Sequence, residues 1–316
     1  MRRIIAKLSI IAVLFAVLLT LCSCGVAHKD DGKLSVVTTL FPQYDFAQAI
    51  GGNRANVTML LPFGSESHTY DPSIKDITIV SNADMFVYTG ESLERWAAEL
   101  VENTVDSGCS VIDLSKNITL LEGVAEDDHD HESHESEHTH DFDGHIWTNP
   151  ENAIVMAENI RDAYISLDPE GKDYYTANAE RLTEQLHNLS EKLEKLSDNY
   201  DGRTVYFGGR FAFLYMFDAC GFNYKSPYHG CGEESEPSIR VIAEISEAMK
   251  KDGAKYIFKE EMSEGKIASA LAFETGATVL VMHSCHNLSL DEAKAGENYI
   301  SLMNKNIENL ERVLSE

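Results

Sequence analysis

Residues 168–202 read DPEGKDYYTANAERLTEQLHNLSEKLEKLSDNYDG. Within this stretch Leu182, Leu186, Leu189, Leu193 and Leu196 recur at spacings of 4, 3, 4 and 3, which lays one apolar stripe along a helix. Asp168-Pro169 is a start signal and Asp201-Gly202 a stop. A helix of about 30 residues spans about 45 Å at roughly 1.5 Å per residue, enough to cross a whole molecule. The same stripe would also serve a coiled-coil dimer; one uninterrupted helix bracing two lobes suits its flanks better, and a monomer is expected.

On both sides of the helix, short strand-like runs alternate with helical ones. Before it, Leu34 to Thr39 reads as a strand, Tyr44 to Ile50 as a helix closed by Gly51-Gly52, and Val57 to Leu61 as a strand ended by Pro62. Asp71 reads as a helix N-cap ahead of Pro72, and Met85 to Tyr88 and Val111 to Leu114 as further strands. After it, Thr204 to Phe207, Tyr256 to Phe258 and Thr278 to Met282 read as strands. Helices over Phe211 to Ala219, Ile239 to Lys251, Lys266 to Thr275 and Tyr299 to Leu314 separate or follow them. Strands separated by helices of this length imply parallel α/β sheets. The expected fold is therefore α/β: a lobe over 33–167, the linking helix over 168–200 and a second lobe over 201–316.

The extreme N-terminus reads as an address, not as fold. Arg2, Arg3 and Lys7 precede an apolar run from Leu8 to Leu21, too short for a membrane span but suited to a signal-peptide core. Leu21-Cys22-Ser23-Cys24-Gly25 looks like a bacterial lipobox, with a signal peptide over 1–23, Cys24 lipidated and 24–32 as a tether. The rest of the chain would lie outside the cytoplasm, anchored to the membrane on the cell surface or in the periplasm.

The chain of 316 residues carries 26 Lys+Arg against 52 Asp+Glu, a net charge of −26. Loss of Arg2, Arg3 and Lys7 with the signal peptide would make it −29, from 23 basic and 52 acidic residues. Such acidity argues against nucleic acid, because phosphate binding needs a positive field, and suits cationic partners. Much of it is local. The 20 residues from Glu126 to His145 hold nine acidic residues, six histidines and no Lys or Arg. With little to bury, the segment reads as a mobile loop. Its His129, His131, His134, His138 and His140 are expected to gather divalent ions weakly near a cleft. A solvated linker with incidental histidines is the plainer reading.

Ligands of parallel α/β sheets gather at the carboxyl ends of strands, and histidines lie there. His68 is in the loop after Val57 to Leu61, His283 directly follows Thr278 to Met282, and His145 stands at the exit of the acidic loop. Neutral imidazole is a common zinc ligand, and three or four convergent N/O donors make a site.

Four motifs in order, Leu40-Phe41-Pro42-Gln43-Tyr44-Asp45, Pro62-x-Gly64-x-x-x-His68-x-Tyr70-x-Pro72, His145-Ile146-Trp147-x-x-Pro150 and Glu236-Pro237-Ser238, resemble those of the metal-binding solute receptors of ABC transporters, the zinc/manganese receptors of the ZnuA and TroA type. The resemblance covers essentially the whole mature chain. It implies two α/β lobes joined by a rigid helix, with one metal ion in the cleft, delivered to a membrane permease powered by an ATPase. The family's first two histidine ligands fall on His68 and His145. Its third falls on Arg210, whose guanidinium has no lone pair and cannot bind a cation. Its fourth falls on or near His283, with His286 the nearby alternative. The resemblance thus implies His68, His145 and His283 as ligands.

Glu236, Glu260, a thiolate or water would restore anionic character, and Arg210 would pair with Glu236 or Glu260 across the cleft. Cys231 and Cys285, each in a motif loop of the second lobe, are read as a disulfide clamping the site, with thiolate ligation or unpaired burial as the other outcomes. Zinc is expected over manganese, because manganese sites lean toward oxygen. A secreted zinc enzyme is the rival class, since three histidines and water also make a catalytic site. Against it, the chain has no His-Glu-x-x-His and no Gly-x-Ser-x-Gly.

Overall fold

The computed structural model describes residues 32–90, 94–104, 107–123, 142–228 and 236–316. The expected signal peptide, Cys24, the loop histidines His129, His131, His134, His138 and His140, and Cys231 lie outside them. Leu34–Glu316 forms one compact unit. No helix among the described residues is long and apolar enough to cross a membrane.

Ahead of the long helix, β1 (Leu34–Thr38), β2 (Ala55–Met59), β3 (Met85–Tyr88) and β4 (Ser110–Asp113) form one sheet in the order β2-β1-β3-β4. Every pairing is parallel, with Val36 opposite both Val57 and Met85. Helix α1 (Phe41–Gly51) joins β1 to β2, α2 (Ile74–Ser81) joins β2 to β3, and α3 (Arg95–Thr104) joins β3 to β4. The start of α2 differs from the sequence reading. Its N-cap is Ser73, whose hydroxyl accepts from the Asp76 N–H while the Asp76 carboxylate accepts from the Ser73 N–H at 2.8 Å. This reciprocal capping box outcompetes Asp71-Pro72 and lengthens the loop that carries His68.

Beyond the helix, β5 (Thr204–Tyr206) pairs with β6 (Asn223–Lys225), and β7 (Tyr256–Lys259) with β8 (Thr278–Val281), all in parallel. A parallel bridge between Phe207 and Phe258 links the two pairs, so the strands run β6-β5-β7-β8, the same pattern as in the first half. At the end of β5 the backbone passes so near the helix over Lys266–Thr275 that a Cβ on Gly208 would lie 2.3 Å from the Ala268 Cα. Only glycine fits there, and this close approach leads the chain into the cleft at Gly209 and Arg210.

The helices α4 (Pro150–Leu167) and α5 (Lys172–Tyr200) pack along each other. Helix α5 has 29 residues and buries Leu182, Leu186, Leu189, Leu193 and Leu196 along one side. These leucines belong to a single core containing Val36, Phe46 and Trp147 from the first half and Phe207, Phe217 and Leu310 from the second. The stripe is therefore consumed inside the chain rather than by a second copy. Helix α6 (Leu214–Cys220) is shorter than the sequence suggests. Phe211 and Phe213 pack instead with Phe207, and Phe211 stacks on Tyr224 with ring centroids 3.5 Å apart. The second half is completed by α7 (Ile239–Asp252), α8 (Lys266–Thr275), α9 (Leu290–Ala295) and α10 (Tyr299–Ser315).

Candidate metal centre

The segment after β8 decides the geometry of the site. Cys285 takes the left-handed conformation, with φ 61°, uncommon for a residue other than glycine and a sign of local constraint. This turn brings the Ser284 hydroxyl against His286, accepting from its backbone N–H at 3.3 Å and lying 2.6 Å from its Nδ1. The same segment crosses to the first half of the chain. The Phe41 N–H at the start of α1 donates to the His286 carbonyl at 3.1 Å, and the Gly64 N–H donates to the Leu288 carbonyl at 2.8 Å. The Asn287 side chain donates to the Pro62 and Ser65 carbonyls at 2.7 and 3.0 Å. His286 is thereby stitched to the loop that carries His68.

Among the described residues, His68, His145 and His286 bring one ligand atom each within 4.8 Å of one another. Their ring centroids are separated by 4.7 Å (His145–His286), 5.3 Å (His68–His286) and 5.9 Å (His68–His145). His145 and His286 are buried, and the Nε2 atoms of His68 and His286 have no hydrogen-bond partner among the described residues. Burial, and then the neighbouring His145, pushes His68 down to about 4. Burial, with His145 and His68 adding to it, holds His286 well below the usual imidazole range. Both rings are neutral near pH 7, with lone pairs available to a cation.

Two of the rings are oriented from behind. His145 Nδ1 lies 2.7 Å from Asp143 Oδ1, and the same oxygen accepts the His145 backbone N–H at 2.8 Å. Burial alone would raise the Asp143 carboxyl, but the facing His145 and its hydrogen bonds hold it below the usual range. An ionised carboxylate only accepts, so Nδ1 carries the proton and Nε2 faces the cluster. The Tyr215 hydroxyl donates to the Asp143 carbonyl at 2.6 Å and accepts the Leu121 N–H, fixing this loop against α6. The Trp147 indole N–H donates to the Ser284 carbonyl at 2.8 Å.

His283, expected as a ligand, is not in the cluster. Its Nδ1 accepts the Cys285 N–H at 3.0 Å and lies 3.8 Å from Glu261, and its Nε2 lies 3.5 Å from Glu292. The facing His283 ring is the leading cause that takes Glu292 down to about 2. The left-handed turn at Cys285 presents His286, the nearby alternative, in its place. Cys285 is a free thiol, fully buried. Burial, with Glu261, Asp45 and Glu292 nearby, raises it well above the usual thiol range, so it stays protonated and is not among the clustered donors. Cys231, the disulfide partner expected for it, lies outside the described residues.

Beside the cluster opens a cleft of about 420 Å³, lined among others by Glu66, Arg210, Glu236, Glu260, Ser284 and His286. Arg210 lies close enough to lower His68, and its backbone N–H bonds to Glu260. Burial and then the adjacent Glu261 raise Glu260 to about 7. Glu236 stands exposed at the rim. Asp143, Ser284 and Glu261 escaped the sequence reading as participants. Asp143 had a signal, a carboxylate two residues from a candidate ligand; Glu261 had none, because it meets Ser284 across 23 residues of sequence.

The family profile described as "Zinc-uptake complex component A periplasmic" matches residues 36–313. The chain belongs to this family. The zinc-binding protein AdcA of Streptococcus pyogenes serotype M3 is 34% identical over 318 residues, covering 98% of this chain and 61% of that protein. This chain thus spans about 61% of the length of the streptococcal relatives it matches. The high-affinity zinc uptake system protein ZnuA of Bacillus subtilis is 32% identical over 287 residues, 90% of this chain and 89% of that one. Among solved structures, the Zn(II)-bound ZnuA-like domain of Streptococcus pneumoniae AdcA superposes with a TM-score of 0.75 at 30% identity, covering 90% of this chain and all of that one (100%). The clustered donors differ from the sequence reading at one position, His286 in place of His283.

Proposed function

We propose that this protein is an extracytoplasmic receptor that binds Zn2+ in the cleft and delivers it to an ABC permease driven by its ATPase. One observation carries the reading: three buried or half-buried imidazoles converge within 4.8 Å, with His68 and His286 kept neutral near pH 7 by burial. An all-nitrogen donor set favours zinc over manganese, which leans to oxygen donors. The relatives named for zinc binding and zinc uptake support the same ion. The protein binds and hands over its cargo rather than turning over a substrate. Lipidation at Cys24, anchorage on the outer face of the membrane and the monomeric state belong to this reading, as does the division into lobes 33–167 and 201–316 around a linker at 168–200. The loop histidines His129, His131, His134, His138 and His140 collect ions for the cleft.

The ligands are His68, His145 and His286, with the fourth position open to water or to a group from the cleft such as Glu260 or Glu236. Because the His286 segment is bonded to the Phe41 and Pro62–Ser65 region, the three rings stand assembled without a large hinge motion. Competition with a chromophoric chelator tests the assignment. His68→Ala and His286→Ala lose tight zinc binding, and tight binding retained in both refutes the site. Equal retention of Mn2+ and Zn2+ in competition dialysis refutes the choice of ion.

A further inference from the structure

The geometry points to Glu261 as a positioning residue that acts through Ser284 to fix the tautomer, and hence the ligand atom, of His286. The inference rests on the reading of His286 as a zinc ligand. Glu261 comes from the loop after β7, and its side chain is only 7% exposed. Its two oxygens grip Ser284 twice, Oε1 accepting from the hydroxyl at 2.5 Å and Oε2 from the backbone N–H at 3.0 Å. A serine hydroxyl has one proton and two lone pairs. The proton is given to Glu261. The lone pairs face the His286 backbone N–H at 3.3 Å and its Nδ1 at 2.6 Å. With its proton committed, Oγ can only accept from the ring, so Nδ1 carries hydrogen and Nε2 keeps the lone pair.

The opposite tautomer would set two lone pairs against each other at the Ser284–His286 contact and turn an N–H toward the place of the ion. The arrangement repeats, with one hydroxyl interposed, what Asp143 does directly for His145. The two rings are thus each backed by a carboxylate, which also makes the imidazole a more basic donor. The carboxylates stand behind the rings, one hydrogen bond away at Asp143 and two at Glu261. Glu261 also lies 3.8 Å from His283 Nδ1, so the ligand expected from the sequence and the imidazole in the cluster share a carboxylate.

Two variants separate this role from plain packing. Ser284→Ala removes the bridge while leaving Glu261, and Glu261→Leu removes the acceptor at similar volume. Each lowers zinc affinity by about 10- to 100-fold, and the double variant falls no further than either single one. In the zinc-free protein, nitrogen-15 NMR of labelled histidine reads His286 as the Nδ1–H tautomer in the parent and as a mixture in Ser284→Ala. Ser284→Thr and Glu261→Gln, which keep a hydroxyl and an acceptor oxygen, retain the parent tautomer. Should Glu261→Leu fail to fold, the Ser284 pair decides alone. An unchanged tautomer and an affinity within about twofold in Ser284→Ala overturn the relay. His286→Gln in the same series keeps the two ideas apart: if it binds zinc as tightly as the parent, the ligand assignment itself has failed.

Discussion

Lowering the pH discriminates sharply between a preassembled imidazole site and a loose histidine cluster. Zinc must displace protons from its ligands. An ordinary imidazole with a pKa near 6.5 forfeits about 1.5 log units of affinity at pH 5, so three of them forfeit about 4.5. His68 is held at about 4, so at pH 5 its proton costs under about 0.1 log unit. His286 is lowered well below the usual value by burial and by the same neighbours, so it too enters the competition already deprotonated. Two of the three rings therefore contribute almost nothing to acid sensitivity above pH 5. The expected fall in zinc affinity between pH 7 and pH 5 is that of one imidazole at most, no more than about 100-fold over two pH units, with no more than about one proton released per zinc.

The assay is isothermal titration calorimetry in buffers of different ionisation enthalpy, which counts protons directly, backed by chelator competition at pH 5, 6 and 7. Release of about three protons per zinc, or a fall beyond about 10⁴-fold, refutes the reasoning. The sign for stability is linked. The unfolded chain protonates these histidines below about 6.5 while the folded one resists until about 4 for His68. The zinc-free protein therefore loses stability as pH falls through that window.

His283→Gln keeps zinc affinity within about tenfold, because its ring faces Glu261 and Glu292 rather than the cluster, whereas His286→Gln does not; chelator competition on both checks this. Glu94 is buried, accepts the Thr89 N–H at 2.6 Å and is raised to about 7, chiefly by burial. The folded state thus holds its proton longer than the unfolded one, and stability declines as pH rises from about 4.5 to 7, by up to about 3 kcal/mol. Glu94→Gln abolishes that part of the decline in urea titrations at pH 5 and 8. Leu186→Ala, at a fully buried position of α5, destabilises by about 2–5 kcal/mol in the same titration, and less than 1 kcal/mol would mean the helix does not brace the core. Cys285 in the native protein resists a thiol reagent and reacts on unfolding, its sulfur being buried and protonated.

The periodic parts of the fold were legible because periodicity is a local property. The leucines of α5 place themselves on one face by spacing alone, and Gly202, Gly221, Gly253 and Gly276 end their elements through positive φ. His68 and His145 were legible too, each in a loop whose neighbours carry the motif. Two local contests went the other way. At α2 the Ser73–Asp76 box beat Asp71-Pro72, and at α6 an aromatic cluster with Tyr224 took Phe211 out of the helix.

The choice between His283 and His286 belongs to another category. Both sit in one short segment, both are buried, and spacing favours neither. A left-handed turn at Cys285, bonds from Phe41, Gly64 and Asn287, and the pull of Glu261 on Ser284 make the choice. The sequence by itself determined two α/β halves, the long helix between them, two of the three clustered imidazoles and the absence of a donor at Arg210. The tertiary structure decided the third imidazole and the placing of Glu261 behind it through Ser284. Those depend on contacts between residues 23 to 225 positions apart, whose directions no local spacing encodes.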